Sequence, residues 1–143
     1  MAGGANYVLD KGYPVLSTYN GSSTNGVTPF RVVKFSSAKI DLQTTAGGQS
    51  IGVVQEKIDQ VKVAYGNAVA GVRLAGITKV YVSASGSVPS LGSEVEVSTD
   101  GGVVVASGTS GRWTLGVVVG QTVAGGTIGN GDLIDVLIQP RKQ

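Results

Sequence analysis

Glu94 and Glu96 stand two residues apart, the spacing that puts both carboxylates on one face of a strand, where a general acid and a general base would have to sit. Val95 and Val97 take the opposite face. The pair therefore reads as a solvated outer face over a buried inner one, with nothing to raise a carboxyl pKa. Asn130, Asp132 and Asp135 bring enough oxygens for a calcium loop, but lack its alternating ligand spacing and its terminal bidentate Glu. The run Gly125-Gly126-Thr127-Ile128-Gly129-Asn130-Gly131-Asp132 is rich enough in glycine to cradle a phosphate. It has no Gly-Lys-Ser/Thr ending and no helical pattern after it, so it reads as a turn before the last strand. Trp113, beside Arg112, is the sole tryptophan, and a place at a strand start, in the core or at its rim, explains it more simply than a sugar platform or subunit contact. The five tyrosines are scattered, which leaves carbohydrate and single-stranded nucleic acid without a stacking stripe. Asn20-Gly21-Ser22 fits the glycosylation pattern, but nothing marks secretion and the match is read as chance.

What the chain lacks sharpens this. With no cysteine and no histidine, there is no thiolate, no disulfide, no imidazole base or zinc ligand, and no way to assemble a serine triad. The expectation is a protein that is not an enzyme, with no cofactor, no metal site and no small-molecule substrate. The eleven basic residues are spread singly apart from Arg141-Lys142 and give a formal net charge of only +2, so no nucleic-acid partner is expected. No apolar run approaches the roughly 18 residues of a membrane span, and the start lacks the basic and apolar regions of a signal peptide. No membrane partner is expected, and synthesis in the cytoplasm is.

The elements that must position any site are strands. Glycine supplies 23 of 143 residues, more than twice the usual share of about 7%, while charged residues make up 14% against a usual figure of about 25%. Phe30-Arg31-Val32-Val33-Lys34-Phe35 predicts a first strand, and Ser50-Ile51-Gly52-Val53-Val54 a buried one. Val69-Ala70-Gly71-Val72-Arg73-Leu74 and Ile77-Thr78-Lys79-Val80-Tyr81-Val82-Ser83 flank a short Ala75-Gly76 link. Glu94-Val95-Glu96-Val97-Ser98 and Val103-Val104-Val105-Ala106 flank Asp100-Gly101-Gly102, a strong hairpin signal. Leu115-Gly116-Val117-Val118-Val119 and Leu133-Ile134-Asp135-Val136-Leu137-Ile138 close the chain. Residues 55–64 hold the one helix candidate, with Val54, Ile58 and Val61 at helical spacing and a strand as competitor. The expected fold is mainly β: a small β-barrel or β-sandwich with at most one short helix, about 55–64, and an extended N-terminal arm. Ile51-Gly52-Val53-Val54 echoes Leu115-Gly116-Val117-Val118, which two strands of similar burial would explain without a repeat.

Two domain regions follow: an arm over 1–29 and a β-rich domain over 30–143. The arm holds turn-forming residues and only short apolar pieces, and it would order on a partner. An ordinary strand pair at the domain edge is the plainer alternative. Tyr7, Val8, Leu9, Tyr13, Pro14, Val15, Leu16 and Tyr19 are its candidate contact residues.

From about residue 47 to 139 the order of segments resembles a family. Gly52-Val53-Val54-Gln55-Glu56 is followed by Lys62-Val63-Ala64-Tyr65-Gly66-Asn67-Ala68-Val69-Ala70-Gly71-Val72-Arg73-Leu74-Ala75-Gly76-Ile77. The turn Gly86-Ser87-Val88-Pro89, the segment Ser90-Leu91-Gly92-Ser93-Glu94-Val95 and Gly101-Gly102-Val103-Val104 come next. This arrangement resembles the capsid decoration, or head cement, proteins of tailed bacteriophages. The resemblance implies a virion structural protein on the outer capsid surface that stabilises the head, with the major capsid protein as partner and a homo-oligomer, a trimer by preference. A fibre or tail-associated β module and a carbohydrate-binding adhesion module are the alternatives.

Overall fold

The computed structural model describes residues 8–121 and 126–143. Strands β1 (Leu9–Pro14), β2 (Val32–Ser36), β3 (Lys39–Leu42), β4 (Gly52–Val54) and β5 (Val69–Ala75) form one antiparallel sheet in the order β1-β5-β4-β2-β3. Strands β6 (Ile77–Tyr81), β7 (Glu94–Val97), β8 (Val103–Val105), β9 (Trp113–Gln121) and β10 (Leu133–Lys142) form the second, in the order β6-β10-β9-β7-β8. The fold is mainly β and sandwich-like, without a closed barrel. The helix α1 (Gln60–Ala64) falls at the end of the expected span. The Asp59 carboxylate caps it by accepting from the Val61 N–H at 2.8 Å.

The second strand order is the first shifted by five. The match extends to single residues, because equivalent pairs are in register: Val33 opposite Gly52 and Val95 opposite Gly116; Val53 opposite Arg73 and Val117 opposite Leu137. A parallel bridge joins Val15, just past β1, to Ile40 in β3, and its counterpart joins Val82, just past β6, to Val103 in β8. The next residue along donates to the same carbonyl each time, Leu16 to Ile40 and Ser83 to Val103, both at 3.0 Å. The chain is thus two tandem modules of one topology. The apolar-Gly-Val-Val echo, explained above as coincidence of burial, marks equivalent central strands. At Gly52 a side chain would run into the Arg73 carbonyl, and at Gly116 into the Leu137 carbonyl. Glycine is the residue that permits such close backbone approach.

Each module has its own core. Val15, Val33, Ile40, Leu42, Val54, Ala70 and Val72 fill the first, and Val82, Val95, Val103, Val118, Ile134 and Val136 the second. What closes them differs. The first is covered by Tyr19 and Val27 from the β1–β2 connection and by Ile58, Val63 and Ala68 from the β4–β5 connection, which carries α1. The second takes in Val32 and Val53, which point out of the first sheet and are fully buried. Between modules the chain passes through one residue, Gly76, whose φ of +92° turns β5 into β6.

Two boundaries differ from expectation. Residues 8–29 are not an arm apart from a domain beginning at 30. β1 pairs with β5 along its length, and Val15, Tyr19 and Val27 lie in the first core. The few apolar residues of this glycine- and serine-rich stretch are spaced to reach that core one at a time, and the plainer edge-strand alternative describes β1. The first predicted strand starts late, at Val32, because Phe30 adopts a φ of +67°.

Candidate functional site

The groups with chemical potential do not converge. Glu94 pairs at the surface with Arg141 at 2.6 Å. Glu96 departs from the expected solvated face: it is 2% exposed. Its carboxylate is ion-paired to Arg112 and accepts from the Ser107 N–H at 3.1 Å, the Ser107 hydroxyl at 3.3 Å and the Gln143 amide at 2.8 Å. Gln143 in turn accepts from Gly108 and Gly111, so one buried carboxylate ties β7 to the 107–112 loop and the end of β10. Every oxygen is engaged inside the protein, as a structural carboxylate requires. Asp132 accepts from the Gly129 N–H at 2.7 Å, and the Asn130 amide donates to the Ser83 carbonyl at 2.8 Å, so both close the turn that a calcium reading would open. Gly125, the first residue of the Gly-rich run, lies outside the described residues. Among the described residues no cluster of three or more Asp or Glu could hold a metal ion. Trp113 is half-buried at the start of β9, where its backbone N–H donates to the Gly47 carbonyl at 2.8 Å.

Arg31 joins the first module to the second. The Arg31 guanidinium lies 3.4 Å above the Tyr81 ring and donates to the Asp100 carbonyl at 3.3 Å. Burial alone would raise the Asp100 carboxyl. Hydrogen bonds from the Ala84 and Gly102 N–H groups and the Ser83 hydroxyl, helped by the charge of Arg31, outweigh it and hold the group below the usual carboxylate range. The Arg31 contacts, with the Val32 N–H donating to the Gly101 carbonyl at 2.8 Å, fix the hairpin predicted at Asp100-Gly101-Gly102 against the first module. Tyr19 lines the cleft beside them. Burial pushes its hydroxyl above the ordinary tyrosine range, the charge of Asp41 adds to this, and Arg31 opposes it.

The candidate contact residues divide. Val8 and Leu9 are 44% and 56% exposed, Pro14 is exposed, and Tyr13 and Leu16 are half-buried. Val15 and Tyr19 are core residues, facing inward because the segment is packed rather than free. Tyr7 lies outside the described residues. Leu9, Lys11 and Tyr13 follow one another on one side of the edge strand β1. Tyr13 meets Phe35 of β2 edge-on at a centroid distance of 5.3 Å, and the Lys11 ammonium lies 5.4 Å from the Tyr13 ring. Phe35, 49% exposed, belongs to this surface and was not singled out by its sequence, since it reads as one more strand residue. On the far side of β1 an Asp10–Arg73 ion pair at 2.9 Å holds the strand to β5. The arrangement offers an edge strand with a small aromatic and aliphatic surface, suited to contact with another macromolecule.

No protein-family model matches the chain, and no curated protein matches it. Among solved structures it is similar to the head fibre gp8.5 N base of bacteriophage phi29, with a TM-score of 0.59 and 14% identity. The match covers 93% of this chain and 95% of that one, so the likeness in fold takes in both tandem modules.

Proposed function

We propose that this protein is a non-enzymatic structural component of a tailed-phage particle, seated on the outer surface of the head as the base of a fibre. The observation that carries the reading is the near full-length likeness in fold to a head fibre base. Both connected modules match, which a shared sheet motif alone would not produce. The engagement of Glu96, Asp100 and Asp132 inside the protein agrees with a scaffold role. The edge strand β1, with Val8, Leu9 and Tyr13, and Phe35 beside it are the surface offered to the head, where the major capsid protein would be the partner.

A cement role is the second reading, and the segment order shared with decoration proteins favours it. The two differ in what binding does to the head. A protein that binds the assembled lattice and not free subunits stabilises the lattice by mass action, whereas a fibre base needs only to stay attached. The test mixes purified protein with heads of the phage whose genome encodes it, stripped of surface proteins, and follows co-sedimentation and head disruption by heat. Binding at a fixed ratio with unchanged heat resistance is expected for the fibre base. Binding with a raised disruption temperature would move the assignment to cement, and no binding would overturn both.

A further inference from the structure

The duplicated register exposes a face whose equivalent is already an interface. In the first sheet, four outward positions meet the second module. Val32 and Val53 are buried in its core, the Gln55 amide donates to the Thr78 hydroxyl at 2.8 Å, and Arg73 donates to the Ile77 carbonyl at 3.1 Å. Counting along equivalent strands, these positions become Glu94, Val117, Val119 and Leu137 in the second sheet. There they are open: Val119 is 47% exposed, and Glu94, Val117 and Leu137 are half-buried. Leu137 pairs with both Val117 and Ile77, the latter 37% exposed, so three apolar side chains cross the sheet in a row. The solvent face of an antiparallel sheet ordinarily carries polar residues there.

The opposite end of the molecule carries exposed apolar side chains among charged ones, Lys57, Asp59 and Lys62. The connections that cover the first core bury Val63 of α1 inward and leave Val61 and Tyr65 55% and 77% exposed. Ser23 and Thr24 complete a shallow groove beside them. This cover stands where, in the second module, the face of the first module stands.

We propose that copies of this chain associate head to tail, the outer face of the second sheet (Ile77, Val117, Val119, Leu137) of one copy seating on the α1 cover (Val61, Tyr65) of the next. The stacking of module on module inside one chain then continues between chains, with the α1 cover in place of an open core. The internal contact sets one module's outer face on the next module's core, a relation of unlike surfaces. Its continuation is heterologous, and neither surface meets its own copy. The inference stands independently of the head-attachment reading, since it concerns purified protein alone.

The test is analytical ultracentrifugation of the full chain over a wide concentration range, with Val119→Asp and Tyr65→Asp. Each substitution adds a charge to one surface and leaves the other intact, and a thermal melt by circular dichroism checks that each variant is folded. The original protein should self-associate and each variant alone should be monomeric. A one-to-one mixture of the two should form a dimer and nothing larger, because only one intact pair of surfaces remains. A mixture that stays monomeric, a Tyr65→Asp protein that still associates, or an original protein that is monomeric at every concentration would overturn the proposal.

Discussion

Glu94 and Glu96 look interchangeable in the sequence, and their surroundings make them opposites. Glu94 and Arg141 are 38% and 60% exposed, and such pairs contribute little. Glu94→Ala should therefore change stability by less than about 0.5 kcal/mol in urea unfolding. Glu96→Ala strands Arg112, Ser107 and Gln143 without their common acceptor and should cost about 2–3 kcal/mol in the same experiment. The alternation that predicted a solvated face was sound for Glu94. It failed at Glu96 because the 107–112 loop and the end of β10 fold over that face, a contact between residues far apart in the chain. Tyr19 gives a pH prediction. Its raised pKa means that the fold favours the neutral phenol. The stability it contributes is complete below the unfolded value of about 10 and is lost as pH rises beyond that. Alkaline unfolding curves of Tyr19→Phe should lack this loss. Because the hydroxyl has no hydrogen-bond partner among the described residues, the substitution should cost less than about 1 kcal/mol at neutral pH.

Strands announced by β-branched runs were legible: β4, β5, β6 and β10 lie where Val, Ile and Leu cluster, and the β7–β8 hairpin sits on its Asp-Gly-Gly turn. β3 was not read, although Lys39-Ile40-Asp41-Leu42 alternates and its burial follows that alternation. Four residues behind a tight turn, with Ser37 at a φ of +56°, leave too short a pattern to stand out. Exposure along this edge of the first sheet was legible at Val8 and Leu9 and not at Phe35, whose surroundings depend on how β1 passes over it. At Val15 and Tyr19 the reading failed because a short apolar piece looks alike whether it meets a partner or its own core. The central glycines carry the prediction at this scale. Gly52→Ala and Gly116→Ala both press a methyl against a neighbouring strand's carbonyl, and each should destabilise by about 2–3 kcal/mol in chemical denaturation. An equal response would bear out their equivalence. A neutral Gly116→Ala would refute it.

For the molecule as a whole, the mainly β class followed from glycine content and strand spacing, whereas the tandem arrangement did not. The two modules share pairing register but little sequence: Val32 corresponds to Glu94, and Arg73 to Leu137. What the fold retains is geometry at a few backbone-crowded points, and only the apolar-Gly-Val-Val echo shows through. Among the described residues the connections differ most, since α1 belongs to the β4–β5 connection of the first module and the described part of the β9–β10 connection carries no helix. The proposed attachment to heads and the proposed head-to-tail association belong to this level, since each would depend on a surface assembled from several strands. Substitutions at Leu9 and Tyr13 should weaken co-sedimentation with heads while leaving self-association intact, measured on the same preparations.

The unequal closure of the two cores bears on how the chain is made. Every residue of the first core comes from within the first module, so the earlier-synthesised half can complete its interior while the later half is still on the ribosome. The second core needs Val32 and Val53, already displayed on a finished sheet by the time β6 emerges. Synthesis from the N-terminus thus offers each strand of the second module a template instead of an open partner. Protease resistance of stalled nascent chains should appear in two steps, the first once β5 has cleared the exit tunnel. Charging the template with Val53→Asp should abolish the second step and spare the first.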